Sequence, residues 1–161
     1  MGTPNSVQLL QAVASFDFVA AEGELGALVY DIQQEKVKLL DATLESLKPQ
    51  LKYVTDPPDS SDEIRSPYAI VIPVQEYRDG LCILRSGKWL KIPCTFSRDI
   101  SRTDRYPKVI STEDAVNEHD LEPIQDGLAA IFAKALADIE QRKGKLEVRL
   151  EKLQAARQAL G

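Results

Sequence analysis

LEPIQDGLAAIFAKALADIEQRKGKLEVRLEKLQAARQALG, residues 121–161, is the stretch on which the fold turns. Asp120 precedes it and Pro123 falls near its start, a capping oxygen followed by a residue that needs no N–H, which together open a helix. One heptad register runs from there to the end without a stutter. Its d positions are Phe132, Ile139, Leu146, Leu153 and Leu160, and its a positions are Ala129, Leu136, Lys143, Leu150 and Arg157. An apolar residue at every d is the pattern of a coiled-coil seam. Fully helical, residues 121–160 would make a rod of roughly 55–60 Å.

The stripe is not equally wide throughout. Ile124, Leu128 and Ile131 broaden its first half, as suits a helix buried in a domain. The second half narrows to a and d, as suits helices that associate. Arg142 and Arg149 stand at g, and Glu140 and Glu147 at e. In a parallel homodimer Arg142 would approach the other copy's Glu147, whereas an antiparallel one would oppose like charges. An intramolecular hairpin with an upstream helix is the alternative, and four helices in a dimer would satisfy both. Lys143 and Arg157 keep the seam from being fully dry, although their stems can lie along it. A homo-oligomer is expected, with Phe132, Leu136, Ile139, Leu146, Leu150, Leu153 and Leu160 in its interface.

Working outward, Ser111 to Gly127 holds six acidic residues and no Lys or Arg, which favours the positive end of a helix dipole. Before it the period is that of strands. Tyr68 to Ile72 is continuous and β-branched, Leu81 to Arg85 and Lys88 to Phe96 flank Ser86-Gly87, and Lys108 to Ile110 is a fourth short candidate. A two-residue turn at Ser86-Gly87 would set Arg85 opposite Lys88, Ile83 opposite Leu90 and Leu81 opposite Ile92. Cys82, Leu84, Trp89 and Lys91 would then share the other face, so Cys82 and Cys94 would lie on opposite faces as free thiols in a reducing compartment. Asp56 to Glu63 is an acidic, proline-bearing linker with nothing to bury. Its acids lack the spacing and turn glycine of a calcium loop.

Further upstream, Asn5 or Ser6 can cap a short helix. Gly23 and Gly26 suggest that the next helix firms up only around Leu25, and Pro49 ends it near Leu47 or Lys48. Val37, Leu40, Leu44, Leu47 and Leu51 form its clearest stripe. The expected class is α+β: long N- and C-terminal helices forming an antiparallel coiled coil or bundle around a small antiparallel sheet of three or four strands. That is one domain over residues 1–161, with N-terminal helices at 6–48, the acidic linker at 56–66, a β head at 67–110 and the last helix at 121–160. In outline the helix–sheet–helix order is similar to prefoldin subunits and to phage end-binding proteins of the Gam type. The sequence carries no motif of either, so no family is assigned.

The totals exclude several classes. The chain has 161 residues, 43% hydrophobic and 28% charged, as in ordinary soluble proteins. No apolar run approaches the ~18 residues of a membrane span, and no signal pattern opens the chain, so a cytoplasmic protein without membrane contact is expected. The single histidine leaves His-rich metal sites and Ser–His–Asp schemes nearly without material. Glycine-rich phosphate loops and nucleophile elbows are missing. We expect no enzyme, no cofactor and no metal.

Net charge is −5, unevenly spread: residues 78–108 carry a net +5 and the remainder −10. Arg98, Arg102 and Arg105, spaced i, i+4, i+7, could line three guanidiniums along one side of a helical turn for a phosphate or carboxylate. Asp99 and Asp104 give the competing reading of a locally neutralised, solvated loop. Trp89, between Lys88 and Lys91, is either a stacking or anchoring side chain or a core residue. Glu118-His119-Asp120 reads as decoration of a helix start. The candidate binding set is Arg78, Arg85, Lys88, Trp89, Lys91, Arg98, Arg102 and Arg105. The functional expectation is a non-enzymatic, oligomeric protein-binding or scaffold module that recognises an acidic partner through its basic head. The alternative is nucleic-acid binding through the phosphate backbone.

Overall fold

A computed structural model describes residues 5–55, 68–94 and 107–161. The chain divides into two compact units, Met1–Lys36 and Val37–Gly161.

In the first unit Asn5 caps α1 (Ser6–Ser15) through a reciprocal box. The Gln8 N–H donates to Asn5 Oδ1 at 2.9 Å and the Asn5 N–H to Gln8 Oε1 at 3.2 Å. Helix α1 buries no residue. Asp17 Oδ1 then accepts from the Ala20 N–H at 3.0 Å and opens α2 (Phe18–Leu47). The second helix therefore begins at Phe18, seven residues before the expected Leu25. A glycine penalty of about 1 kcal/mol each at Gly23 and Gly26 does not stop a helix already nucleated at a cap and extended over thirty residues. The unit boundary falls inside this helix, after Lys36.

The second unit is α+β. Helix α2 ends at Leu47, as Pro49 dictates, and a 3-10 helix over Lys48–Tyr53 follows. Four strands, β1 (Tyr68–Ile72), β2 (Gly80–Leu84), β3 (Trp89–Ile92) and β4 (Lys108–Ile110), form an antiparallel sheet in sequence order. Helices α3 (Thr112–His119) and α4 (Leu121–Leu160) complete the chain.

The hairpin register differs from the expected one by a residue. The Leu84 N–H donates to the Lys88 carbonyl at 2.8 Å, and the Gly87 N–H to the Leu84 carbonyl at 2.8 Å, so the loop is Arg85-Ser86-Gly87. Only Gly87 takes a positive φ, +86°. A two-residue hairpin turn of the common type would also have forced Ser86 into the left-handed region; the three-residue loop spares it. Leu81 therefore faces Lys91, Ile83 faces Trp89, and Cys82 faces Leu90. Trp89 and Lys91 change sides to join Leu81 and Ile83. The cysteines are free, although not because strand alternation separates them. Cys94 lies past the end of β3, where its N–H donates to Asp79 Oδ1 at 2.6 Å and its Sγ approaches the Gln75 carbonyl at 3.3 Å.

One face of the sheet, with Ala69, Leu81, Ile83 and Trp89, enters the core. Leu40 and Leu44 of α2, Leu51, Ala115 and Val116 of α3, and Ile124 and Leu128 of α4 meet it there. The Val37–Leu51 stripe thus joins one cluster with the broad first half of α4. Helix α4 lies close to β1 at Gly127. The β1–β2 register skips Val71, a bulge, and a Cβ on Gly127 would stand 2.2 Å from the Val71 carbonyl oxygen. Only glycine lets the helix backbone lie this close to the strand. The α4 seam residues from Leu136 onward are exposed among the described residues.

Candidate interaction surface on the last helix

Along α4 the heptad register divides at Phe132, which is half-buried against the core. Beyond it Leu136 is 64% exposed, Leu153 60% and Leu160 92%, and Ile139, Leu146 and Leu150 are also exposed. Burying one such side chain yields about 1.5–3 kcal/mol, so six of them form a substantial adhesive surface. At the root of the stripe an apolar groove of about 420 Å³ lies between Gln50, Tyr53 and Val54 on one side and Phe132, Ala135, Leu136 and Ile139 on the other. A second hollow of about 390 Å³ continues along the helix between Ile139, Lys143, Leu146 and Leu150. Lys143 reaches Glu147 at 4.0 Å within the same helix, so its ammonium leans off the seam while its stem lines it.

The expected basic head fares differently. Arg85 is drawn inward: its Nε donates to Thr55 Oγ1 at 3.3 Å and its Nη2 to the Thr55 carbonyl at 3.2 Å. Lys91 Nζ lies 2.6 Å from Glu118 Oε1 and 3.3 Å from Asp79 Oδ2, and the Glu118 bond leads the interactions that raise its pKa. Arg78 donates to the Glu118 carbonyl at 3.3 Å, at the C-terminal end of α3 where a cation suits the helix dipole. Trp89 is 2% exposed and cannot stack on a ligand. Lys88 is exposed. Arg98, Arg102 and Arg105 lie outside the described residues, as does the acidic linker. Of the described binding set, then, three cations are engaged within the fold and the tryptophan is core.

The sequence reading also missed what surrounds His119. It is not decoration of a helix start but the last residue of α3, 3% exposed. Arg78 Nη2 stands 3.4 Å from its Nδ1, and its Nε2 is 3.9 Å from Glu118 Oε2, without a hydrogen-bond partner among the described residues. Burial first, and then the Arg78 charge, lower its pKa against the pull of Glu118 and Asp79. With Tyr77, Asp79 and Lys91 these groups line a polar hollow of about 280 Å³. Tyr77 in its lining and Asp120, next after His119, are the described non-glycine residues with positive φ, both 64°. Asp120 ends α3 and caps α4 at once, its Oδ1 accepting from the Leu121 N–H at 2.7 Å. This constellation clasps the β1–β2 turn and β3 to α3. It offers no nucleophile paired with a base, and among the described residues no three His, Cys, Asp or Glu side chains gather as a cation site needs. Among the same residues no helix is long and apolar enough to cross a membrane.

No known protein family, curated protein or solved structure matches the chain.

Proposed function

We propose that this chain is a non-enzymatic assembly module that associates with a second copy of itself through the α4 seam and carries its β head at the root of that contact. The observation that supports the reading is the exposed stripe from Leu136 to Leu160, apolar at every d position while the core is complete without it. Recognition of an acidic partner by the head rests on the net +5 of residues 78–108. With Arg78, Arg85 and Lys91 engaged inside the fold, it falls to Lys88, Arg98, Arg102 and Arg105.

Light scattering at micromolar concentration tests the assembly reading. The expected mass is twice the chain's 17.9 kDa or more. Leu153→Asp should return the monomer with an unchanged circular dichroism spectrum, while Glu151→Lys, at an outward b position, should leave assembly intact. A wild-type monomer would overturn the proposal. Binding of DNA or RNA that weakens steeply with salt would move the head's role to nucleic acid.

A further inference from the structure

We infer that the two copies pair in parallel and in register, so that both β heads stand at the same end of the assembly. The inference rests on the self-association just proposed and names its geometry. Two features independent of the stripe itself carry it.

The first is charge beside the seam. In a parallel pair each Arg142 at g meets Glu147 at e of the other copy, five residues on. An antiparallel pair overlapping along the whole seam sets Arg142 against Arg149 of the other copy and Glu140 against Glu147, so like charges face each other on both flanks. That arrangement is selected against even where the apolar contacts are equal.

The second is the groove at the root. Its lining holds Gln50, Tyr53, Val54, Phe132, Ala135, Leu136 and Ile139, with no charged side chain. The antiparallel register that aligns a with d brings Arg157 of the other copy opposite Phe132, a guanidinium against an apolar hollow with no acid to receive it. The parallel register brings Phe132 and Leu136 of the other copy to the same level. Both are large and apolar, and Leu136 is 64% exposed in the single chain. The 3-10 helix then belongs to the interface as a collar around the first paired turn. Two heads at one end make the assembly bivalent toward any target that presents its site twice.

Single cysteines on a Cys94→Ser background test the geometry, since Cys82 is buried and its thiol pushed up to about 12. Leu153→Cys should give a covalent dimer under mild oxidation with diamide, because parallel d positions meet their own copies. In the antiparallel register residue 153 lies opposite 136, and the two copies of 153 are separated by roughly 25 Å of helix. A mixture of Leu153→Cys and Leu136→Cys chains would then cross-link while neither does alone. Light scattering of each reduced variant runs beside the gel. A dimer that cross-links only in the mixture, or in neither case, overturns the parallel register and leaves self-association standing. A wild-type monomer removes both.

Discussion

Leu128 and Leu153 sit on one unbroken helix and belong to one apolar pattern, yet the first is buried and the second 60% exposed. What separates them is the width of the stripe. Around Leu128 the residues Ile124 and Ile131 extend the apolar face far enough to meet a sheet and α2 together. Around Leu153 the large apolar residues are Leu150 at a and Leu153 itself at d, a narrow face that a single helix covers. A helix can thus record in its own side chains which of its turns serve the domain and which are left for another chain.

The contrast is most severe at glycine. Gly127→Ala should cost about 3 kcal/mol or more, because its Cβ would meet backbone rather than a side chain that can swing away. Gly144→Ala, on the same helix with nothing within 4 Å of the added carbon, should stabilise by about 0.5–1 kcal/mol. Urea denaturation of both variants reads the sign directly, and equal effects would erase the distinction between the halves. Truncating the leucines sharpens it. Leu128→Ala should lose about 2–5 kcal/mol. Leu153→Ala, measured at concentrations too low for association, should stay within about 0.5 kcal/mol of wild type and show its effect only as a lower dimer fraction.

The junction that sets where the buried half begins responds to pH. Burial lowers the His119 pKa in the fold, so the unfolded chain takes up its proton first as pH falls. Its contribution to stability is therefore complete above about pH 6.5, the unfolded value, and is lost as pH drops through the folded pKa. Arg78 and Lys91 oppose the new charge, while Glu118 and Asp79 moderate it. The urea midpoint should fall on acidification across this window, and His119→Gln should flatten that step. An unchanged slope would mean that other groups carry the acid sensitivity. A modest effect is expected at Asp120, whose φ of 64° and ψ of 163° suit only glycine. Asp120→Gly loses a side-chain cap but sheds the strain, for a net gain of about 1 kcal/mol in thermal denaturation.

The start of α4 at Leu121, the strands and the α+β class were legible because each depends on local pattern: a cap, a proline, a change of period. The hairpin register was not. Ser86-Gly87 has the length of a two-residue turn, and nothing in the string says that Arg85 joins the loop. That slip moved Trp89 to the wrong side of a sheet whose two faces are both apolar enough to hide the error. The basic head was counted from charge alone, and charge does not reveal that Glu118, forty residues beyond Arg78, supplies the carbonyl that engages it. Helix α3 was not foreseen, because its acidic run reads equally as an approach to the N-terminus of α4.

The closeness of α4 to β1 has a bearing on how the chain is made. Strand β1 is an edge strand of apolar, β-branched sequence, and the helix that lies against it begins more than fifty residues later. During synthesis from the N-terminus β1 and β2 are made before Gly127, so Tyr68–Ile72 has its β2 neighbour before it has its helix. Nascent chains stalled in that interval present the kind of open edge on which strands of other molecules add. In the finished chain α4 lies against the strand at Val71.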